Sequence, residues 1–282
     1  MKINAYAKIN ATLDICGVRE DGFHSLRSVM LPVSLHDEIV IEKSESLSFQ
    51  CNIKELCTED NLCLRAARLF FESTGIDGAV AIELEKNIPF PAGLGGGSAD
   101  AAAVLKGVNT LFDKPLDDTG LLTLASKLGS DVSFCLYGSP ALCEGRGELL
   151  TPIDGIPELY LVIAIGKSRL STPAVYRKYD EAGLEARNDS DRLLKAVESR
   201  DRDAIVASFG NAFEPVTDLL APETMELRSR MISLGAQNAR LSGSGPSVFG
   251  VLKSYEEARI CAQQLEGMGY FAISCRTLDK TY

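Results

Sequence analysis

Apolar and polar positions alternate over residues 2–16, where Ile, Tyr, Thr and Leu recur, and this period of two predicts one or two strands. Residues 17–24, Gly-Val-Arg-Glu-Asp-Gly-Phe-His, are rich in turn formers and read as a loop. Strand patterns return at 25–35, 37–43 and 79–86. Between them Leu62, Leu64, Ala66, Ala67, Leu69 and Phe70 fall at helical spacing and predict a helix over 61–73. Further helices are expected at about 98–111 and 118–128, with Gly129 as a left-handed stop for the second. The apolar run 159–165 predicts a buried strand. Helical patterns then occupy 172–181, 188–198, 201–208 and 222–234. Residues 238–252 read as strand, glycine turn, strand, followed by a helix at 254–268 and a last strand at 270–277. Strands and helices mix without strict alternation, so the expected class is α+β. The stretch Pro152–Pro157 is the best linker. It divides the chain into 1–152 and 153–282, and ligand sites favour such junctions.

Composition narrows the partners. The 282 residues are 45% hydrophobic and 24% charged, ordinary for a chain with a real core, and the formal charge is −10. That sign argues against nucleic acid or an anionic membrane as partner. No stretch reaches the roughly 18–20 apolar residues of a membrane helix, and the opening residues show no signal-peptide core, so a cytoplasmic location is expected. Eight cysteines include no CxxC pair and there are only two histidines. Zinc or a disulfide scaffold would need clustered ligands or a small secreted chain, so the thiols read as packing groups. His36, in His-Asp-Glu, reads as a solvated turn.

The most punctuated segment is Phe90-Pro91-Ala92-Gly93-Leu94-Gly95-Gly96-Gly97-Ser98-Ala99-Asp100, followed by an alanine-rich helix. Glycines let a backbone approach a phosphate closely. A helix N-terminus adds N–H donors and a partial charge of about half a unit, with Ser98 or Asp100 as the expected cap. The segment is neither a Walker loop, having no Gly-Lys-Ser/Thr, nor a GxGxxG fingerprint.

This segment closely resembles the phosphate-binding motif of the GHMP kinases. Two other stretches resemble the same family: Leu128-Gly129-Ser130-Asp131-Val132-Ser133-Phe134, with Ser133 where proline is common, and the glycine turn Arg240-Leu241-Ser242-Gly243-Ser244-Gly245-Pro246. Ala7-Lys8-Ile9-Asn10, with Tyr6 in place of the usual proline, and Gly17-Val18-Arg19-Glu20-Asp21-Gly22-Phe23-His24, with Phe for Tyr, resemble the branch that acts on diphosphocytidyl-methylerythritol. The matches run in family order from residue 5 to about 250. The resemblance implies a two-lobed fold, with an N-terminal lobe like domain 2 of ribosomal protein S5 and a ferredoxin-like C-terminal lobe. It implies ATP as co-substrate, Mg²⁺ with it, for which Ser98 is a candidate ligand and no carboxylate partner is identified, and a small cytidine diphosphate substrate. The oligomeric state it suggests is a monomer or weak dimer.

Phosphoryl transfer needs a positioned donor, offset charge and a place for the hydroxyl proton. The resemblance assigns residues 90–100 to ATP and Asn61, an N-cap by sequence, to the neighbourhood of the adenine. Asp131 becomes the general base, although by sequence alone it reads as a cap. Lys8 becomes its cationic partner, and Asn10, on the same strand face, a substrate contact. Phe23 and His24 are expected at the cytosine, joined by Thr172 and Tyr176 from Ser171-Thr172-Pro173-Ala174-Val175-Tyr176, which resembles the family's substrate segment. A mevalonate- or homoserine-type kinase and a non-catalytic nucleotide sensor are the alternatives.

Overall fold

The structure, a computed structural model, describes residues Met1–Tyr282. In chain order the elements are β1 (Lys2–Asn10), β2 (Thr12–Val18), β3 (His24–Ser44), β4 (Ser48–Cys51), α1 (Leu62–Thr74), β5 (Ala79–Glu85), α2 (Gly96–Leu111), α3 (Asp118–Leu128), α4 (Ser130–Tyr137), β6 (Ala141–Gly145), β7 (Leu149–Pro152), β8 (Tyr160–Ile165), α5 (Thr172–Ala182), α6 (Asp189–Ser199), α7 (Arg202–Ala207), β9 (Gly210–Asn211), α8 (Glu214–Leu220), α9 (Glu223–Ser233), β10 (Asn238–Leu241), β11 (Val248–Leu252), α10 (Tyr255–Gly267) and β12 (Phe271–Arg276). The class is α+β, as expected. Two compact units share these elements. One comprises Met1–Ala7, Leu35–Pro89 and Gly95–Gly138, and the other Lys8–Ser34, Phe90–Leu94 and Ser139–Tyr282. The Pro152–Pro157 stretch lies inside the second.

In the first unit the far half of β3 pairs antiparallel with β5, from Glu38↔Glu85 to Ser44↔Ala79, and β4 lies parallel to β5. Asn61 caps α1: its Oδ1 accepts from the Cys63 N–H at 2.8 Å, and Gly75, left-handed at φ 68°, ends the helix. Helix α2 packs against α1 and α4. Its alanines Ala99, Ala101, Ala102 and Ala103 are wholly buried, because small side chains let neighbouring elements approach its axis closely.

In the second unit β2 and β6 flank the near half of β3, both antiparallel, and β7 extends the sheet beyond β6. A separate antiparallel sheet has the order β10-β11-β8-β12. Helices α9 and α10 bury Leu227, Met231, Ala258 and Leu265 against Val162 and Val248 of that sheet.

Several expectations need correction. Residues 25–35 and 37–43 form one strand, β3, because Asp37 continues the inward face. Its carboxylate is wholly buried but ion-paired, so a polar residue there does not break the strand. His36 is therefore mid-strand rather than in a turn, with its ring 5.2 Å from that of Tyr6. Gly129 is extended (φ 166°, ψ 155°), not left-handed, and works as a joint leading directly into α4. Helix α4 escaped prediction because Val132, Phe134, Cys135 and Leu136 are too few and too crowded to show a period. The strands β6, β7 and β9 and the helix α8 are likewise short. All eight cysteines are free thiols and five of them are buried; burial pushes the Cys275 thiol up to about 12, as suits a packing group.

Candidate active site

The opening strand carries the most buried lysine of the second unit. Lys8 is 3% exposed. Its Nζ donates to Asn10 Oδ1 at 2.8 Å and to the Gly93 carbonyl at 3.2 Å. The spacing of two along a strand puts Lys8 and Asn10 on one face, and Asn10 Nδ2 in turn donates to Ser28 Oγ at 2.8 Å. Sequence reasoning placed Lys8 and Asn10 in the site, and the structure brings both to the start of the glycine-rich segment.

That segment is tied down chiefly by its main chain. The Leu94 carbonyl accepts from the Lys8 N–H at 3.0 Å. The Gly93 carbonyl also accepts from Ser242 Oγ at 2.9 Å, and the Ala92 carbonyl accepts from Ser247 through both its N–H and its hydroxyl. The turn at 242–247, the third family-like stretch, thus clasps residues 92–93. Gly93 is obligatory here: φ is +75°, and a Cβ would stand 2.3 Å from the Ser242 carbonyl oxygen. Phe90 and Pro91, at the head of the segment, are exposed.

From Gly95 onward the segment belongs to the first unit. Helix α2 starts at Gly96, two residues before the expected start. Its N-cap is Gly95, left-handed at φ 69°, with no capping side chain. Ser98 and Asp100 therefore do not cap it. The first N–H groups of a helix lack intrahelical partners, and here glycine leaves them uncovered by side chains. Gly96 is buried while Gly97 is exposed and Ser98 half-buried.

Asp100 is buried beneath this helix start. Lys86 Nζ lies 2.6 Å from Asp100 Oδ2 and 2.6 Å from Asp37 Oδ2. Asp37 Oδ1 also accepts the main-chain N–H groups of Asn87 and Ile88 at 2.6 and 2.7 Å. The second oxygen of Asp100 is buried without a hydrogen-bond partner. Burial pushes the Asp100 carboxyl up to about 8 against the pull of Lys86. Burial works against the Lys86 charge too, but Asp100 and Asp37 outweigh it and hold the ammonium above the usual lysine range. A Cβ on Gly96 would come 2.9 Å from Lys86 Nζ, so the first residue of α2 rests on this triad. Nothing in the sequence pattern marked Lys86 or Asp37.

Asp131 stands in the first turn of α4, in the first unit. Asn61 uses both ends of its side chain locally, since Nδ2 also donates to the Leu56 carbonyl at 2.9 Å.

The expected base-binding residues gather in the second unit. Phe23, at the tip of the β2–β3 hairpin, is 56% exposed. Its N–H donates to Asp21 Oδ1 at 3.1 Å, and the Arg146 guanidinium lies 5.3 Å from its ring centroid. That N–H, together with Arg19, holds the Asp21 carboxyl below the usual range. His24 lies 4.8 Å from the ring of Tyr176, which meets the buried Phe213 edge-on at 4.7 Å. Thr172 Oγ1 is 2.9 Å from Ser244 Oγ. His24 and Tyr176 come together, while Arg146 and Asp180, which touch Phe23 and His24, were not anticipated.

Comparison with known proteins settles the family. The model of the GHMP kinase N-terminal domain matches residues 61–139, and that of the GHMP kinase C-terminal domain residues 187–270. A protein of Symbiobacterium thermophilum named 4-diphosphocytidyl-2-C-methyl-D-erythritol kinase is 41% identical over 99% of this chain and 100% of its own. The chain belongs to this family of GHMP kinases. A member from Alkaliphilus metalliredigens with the same name is 38% identical over 94% of this chain and 92% of its own length. A crystal structure of 4-(cytidine 5'-diphospho)-2C-methyl-D-erythritol kinase is 35% identical and superposes with a TM-score of 0.84, covering 98% of this chain and 99% of that one. The chain therefore has the two-domain GHMP kinase fold. The N-terminal match holds Gly95–Asp100 and Asp131, whereas Lys8 and the 19–24 hairpin lie outside both matched regions.

Proposed function

We propose that this chain transfers the γ-phosphoryl group of ATP to the C2 hydroxyl of 4-diphosphocytidyl-2-C-methyl-D-erythritol. The products are the 2-phosphate and ADP, a step on the methylerythritol phosphate route to isoprenoid precursors. The observation that carries the reading is the buried Lys8 ammonium, bonded to the Gly93 carbonyl where the glycine-rich segment begins. A net charge of −10 requires any positive potential for a triphosphate to be local. Main-chain N–H groups from Gly95 onward and the N-terminus of α2 supply it in this reading.

Asp131 acts as the general base that takes the hydroxyl proton, and Lys8 offsets negative charge on the transferring group. Asn10 orients the substrate. Phe23 and Tyr176 provide aromatic faces and His24 a hydrogen bond at the cytosine, with Thr172 beside them. No group of three or more His, Cys, Asp or Glu is placed to hold a metal ion. Mg²⁺ commonly binds through substrate phosphates and retained waters, so we assign it to ATP rather than to a protein cage. Both substrates are charged, water-soluble nucleotides, and no helix is long and apolar enough to cross a membrane. We place the enzyme in the cytoplasm, as a monomer or weak dimer.

The test is Asp131→Asn in an ATP-consumption assay on the diphosphocytidyl substrate. Loss of a positioned base is expected to lower kcat by roughly a hundred- to ten-thousandfold, with the thermal midpoint within a few degrees of the parent. Near-parental turnover would remove Asp131 from this role.

A further inference from the structure

We propose that Asp180 is a positioning residue that fixes which ring nitrogen of His24 carries the proton, and so makes the base pocket prefer a 4-aminopyrimidine to a 4-oxopyrimidine. The inference rests on the reading that His24 meets the base edge, and it goes further by naming what sets that residue's hydrogen-bonding polarity.

His24 Nε2 lies 2.7 Å from Asp180 Oδ1. An ionised carboxylate only accepts, so the imidazole must donate from Nε2. In the neutral ring the other nitrogen, Nδ1, then keeps its lone pair and can only accept. Turning the ring over would set Cε1 in place of Nε2 and lose the bond to Asp180, and packing resists it as well. The His24 side chain is 11% exposed, the Tyr176 ring lies tilted at 44° against it, and Phe213 braces Tyr176 from behind.

The polarity of Nδ1 matters because the two pyrimidines differ at one edge. Cytosine offers an amino donor at position 4, where uracil offers a carbonyl acceptor. A fixed acceptor pairs with the first and confronts the second with lone pair against lone pair. Sites that leave a polar group unpaired in this way discriminate strongly. Asp180 is 156 residues from His24 in sequence and half-exposed itself, so its substitution leaves the core untouched.

The chain has two histidines, His24 and His36, so ¹⁵N-histidine NMR at pH 8 resolves both, with His36→Gln giving the assignment. In the parent, Nε2 of His24 is expected to be protonated and Nδ1 not. Asp180→Asn lets the side-chain amide turn its NH₂ toward Nε2, which admits the opposite tautomer. The variant is expected to show mixed tautomers and about a tenfold rise in KM for the cytidine substrate, with a smaller change in kcat. The ratio of UDP to CDP inhibition constants should shrink about tenfold, while KM for ATP stays at the parental value. An unchanged ratio with an unchanged ¹⁵N pattern overturns the proposal. His24→Ala separates the two layers. If it raises the cytidine KM while Asp180→Asn moves nothing, only the role of Asp180 fails. If His24→Ala itself leaves the cytidine KM and CDP inhibition unaltered, the assignment of His24 to the base edge fails.

Discussion

The two ends of the proposed site are built in opposite ways. The glycine-rich segment is held through its main chain, with the carbonyls of Ala92, Gly93 and Leu94 receiving hydrogen bonds from β1 and the 242–247 turn. The hairpin at 19–24 closes on its own main chain, Arg19 N–H to the Phe23 carbonyl at 2.7 Å, but its base-facing residues are set by side chains, with Arg19 and the Phe23 N–H on Asp21, Arg146 over Phe23 and Asp180 on His24. Phosphate asks for N–H donors at fixed points, which a braced backbone offers with no side chain to order. A nucleobase asks for a flat face and an edge, which only side chains provide. Substitutions should therefore weaken the first end through folding and the second through affinity alone.

The largest effect is expected from Lys86→Met, under the start of α2. It leaves the buried carboxyl groups of Asp37 and Asp100 without their ammonium, and breaking such a pair costs about 3–5 kcal/mol. Urea unfolding measures the loss, and an unchanged midpoint would break the view that this end is secured by burial. Gly93→Ala comes next. The positive φ and the overlap with the Ser242 carbonyl together predict a loss of about 2–4 kcal/mol, accompanied by a higher KM for ATP with little change for the cytidine substrate. Phe23→Ala should leave the unfolding curve in place because the ring is mostly exposed. Loss of a stacked face of about 1–3 kcal/mol would raise KM for the cytidine substrate roughly five- to hundredfold. The smallest effect belongs to Arg146→Ala: a partly exposed cation–π contact is worth about 0.5–1 kcal/mol, or a two- to fivefold rise in the same KM. A stability loss in either hairpin variant as large as that of Gly93→Ala would erase the distinction between the two ends.

The same contrast separates what could be read in the sequence from what could not. Gly93 and the alanine-rich helix announced themselves because close backbone approach needs glycine and close helix packing needs alanine, and both leave a local mark. Most helices and the β10-turn-β11 unit were legible for similar reasons of period and punctuation. Lys86 and Asp37 left no mark. Their pairing spans 49 residues, and in a linear reading each is an ordinary strand charge, which is also why His36 beside Asp37 reads as a turn. Arg146 comes from a hairpin too short to show alternation, and Asp180 sits on the polar half of α5, where a solvated aspartate is unremarkable. The N-terminus of α2 was misplaced by two residues because serine and aspartate are the commoner caps, whereas a left-handed glycine fills that place here.

The row of buried alanines on α2 also limits how this chain can diverge. At Ala99, Ala101, Ala102 and Ala103 there is no accessible surface left, so each added methyl must displace a neighbouring element or slide the helix along its own axis. A slide of even half an ångström carries the amides at the helix start with it. Natural drift and laboratory selection should therefore both find these positions nearly closed, and the helix offers little room elsewhere, since only Gly97 and Thr110 are exposed along it.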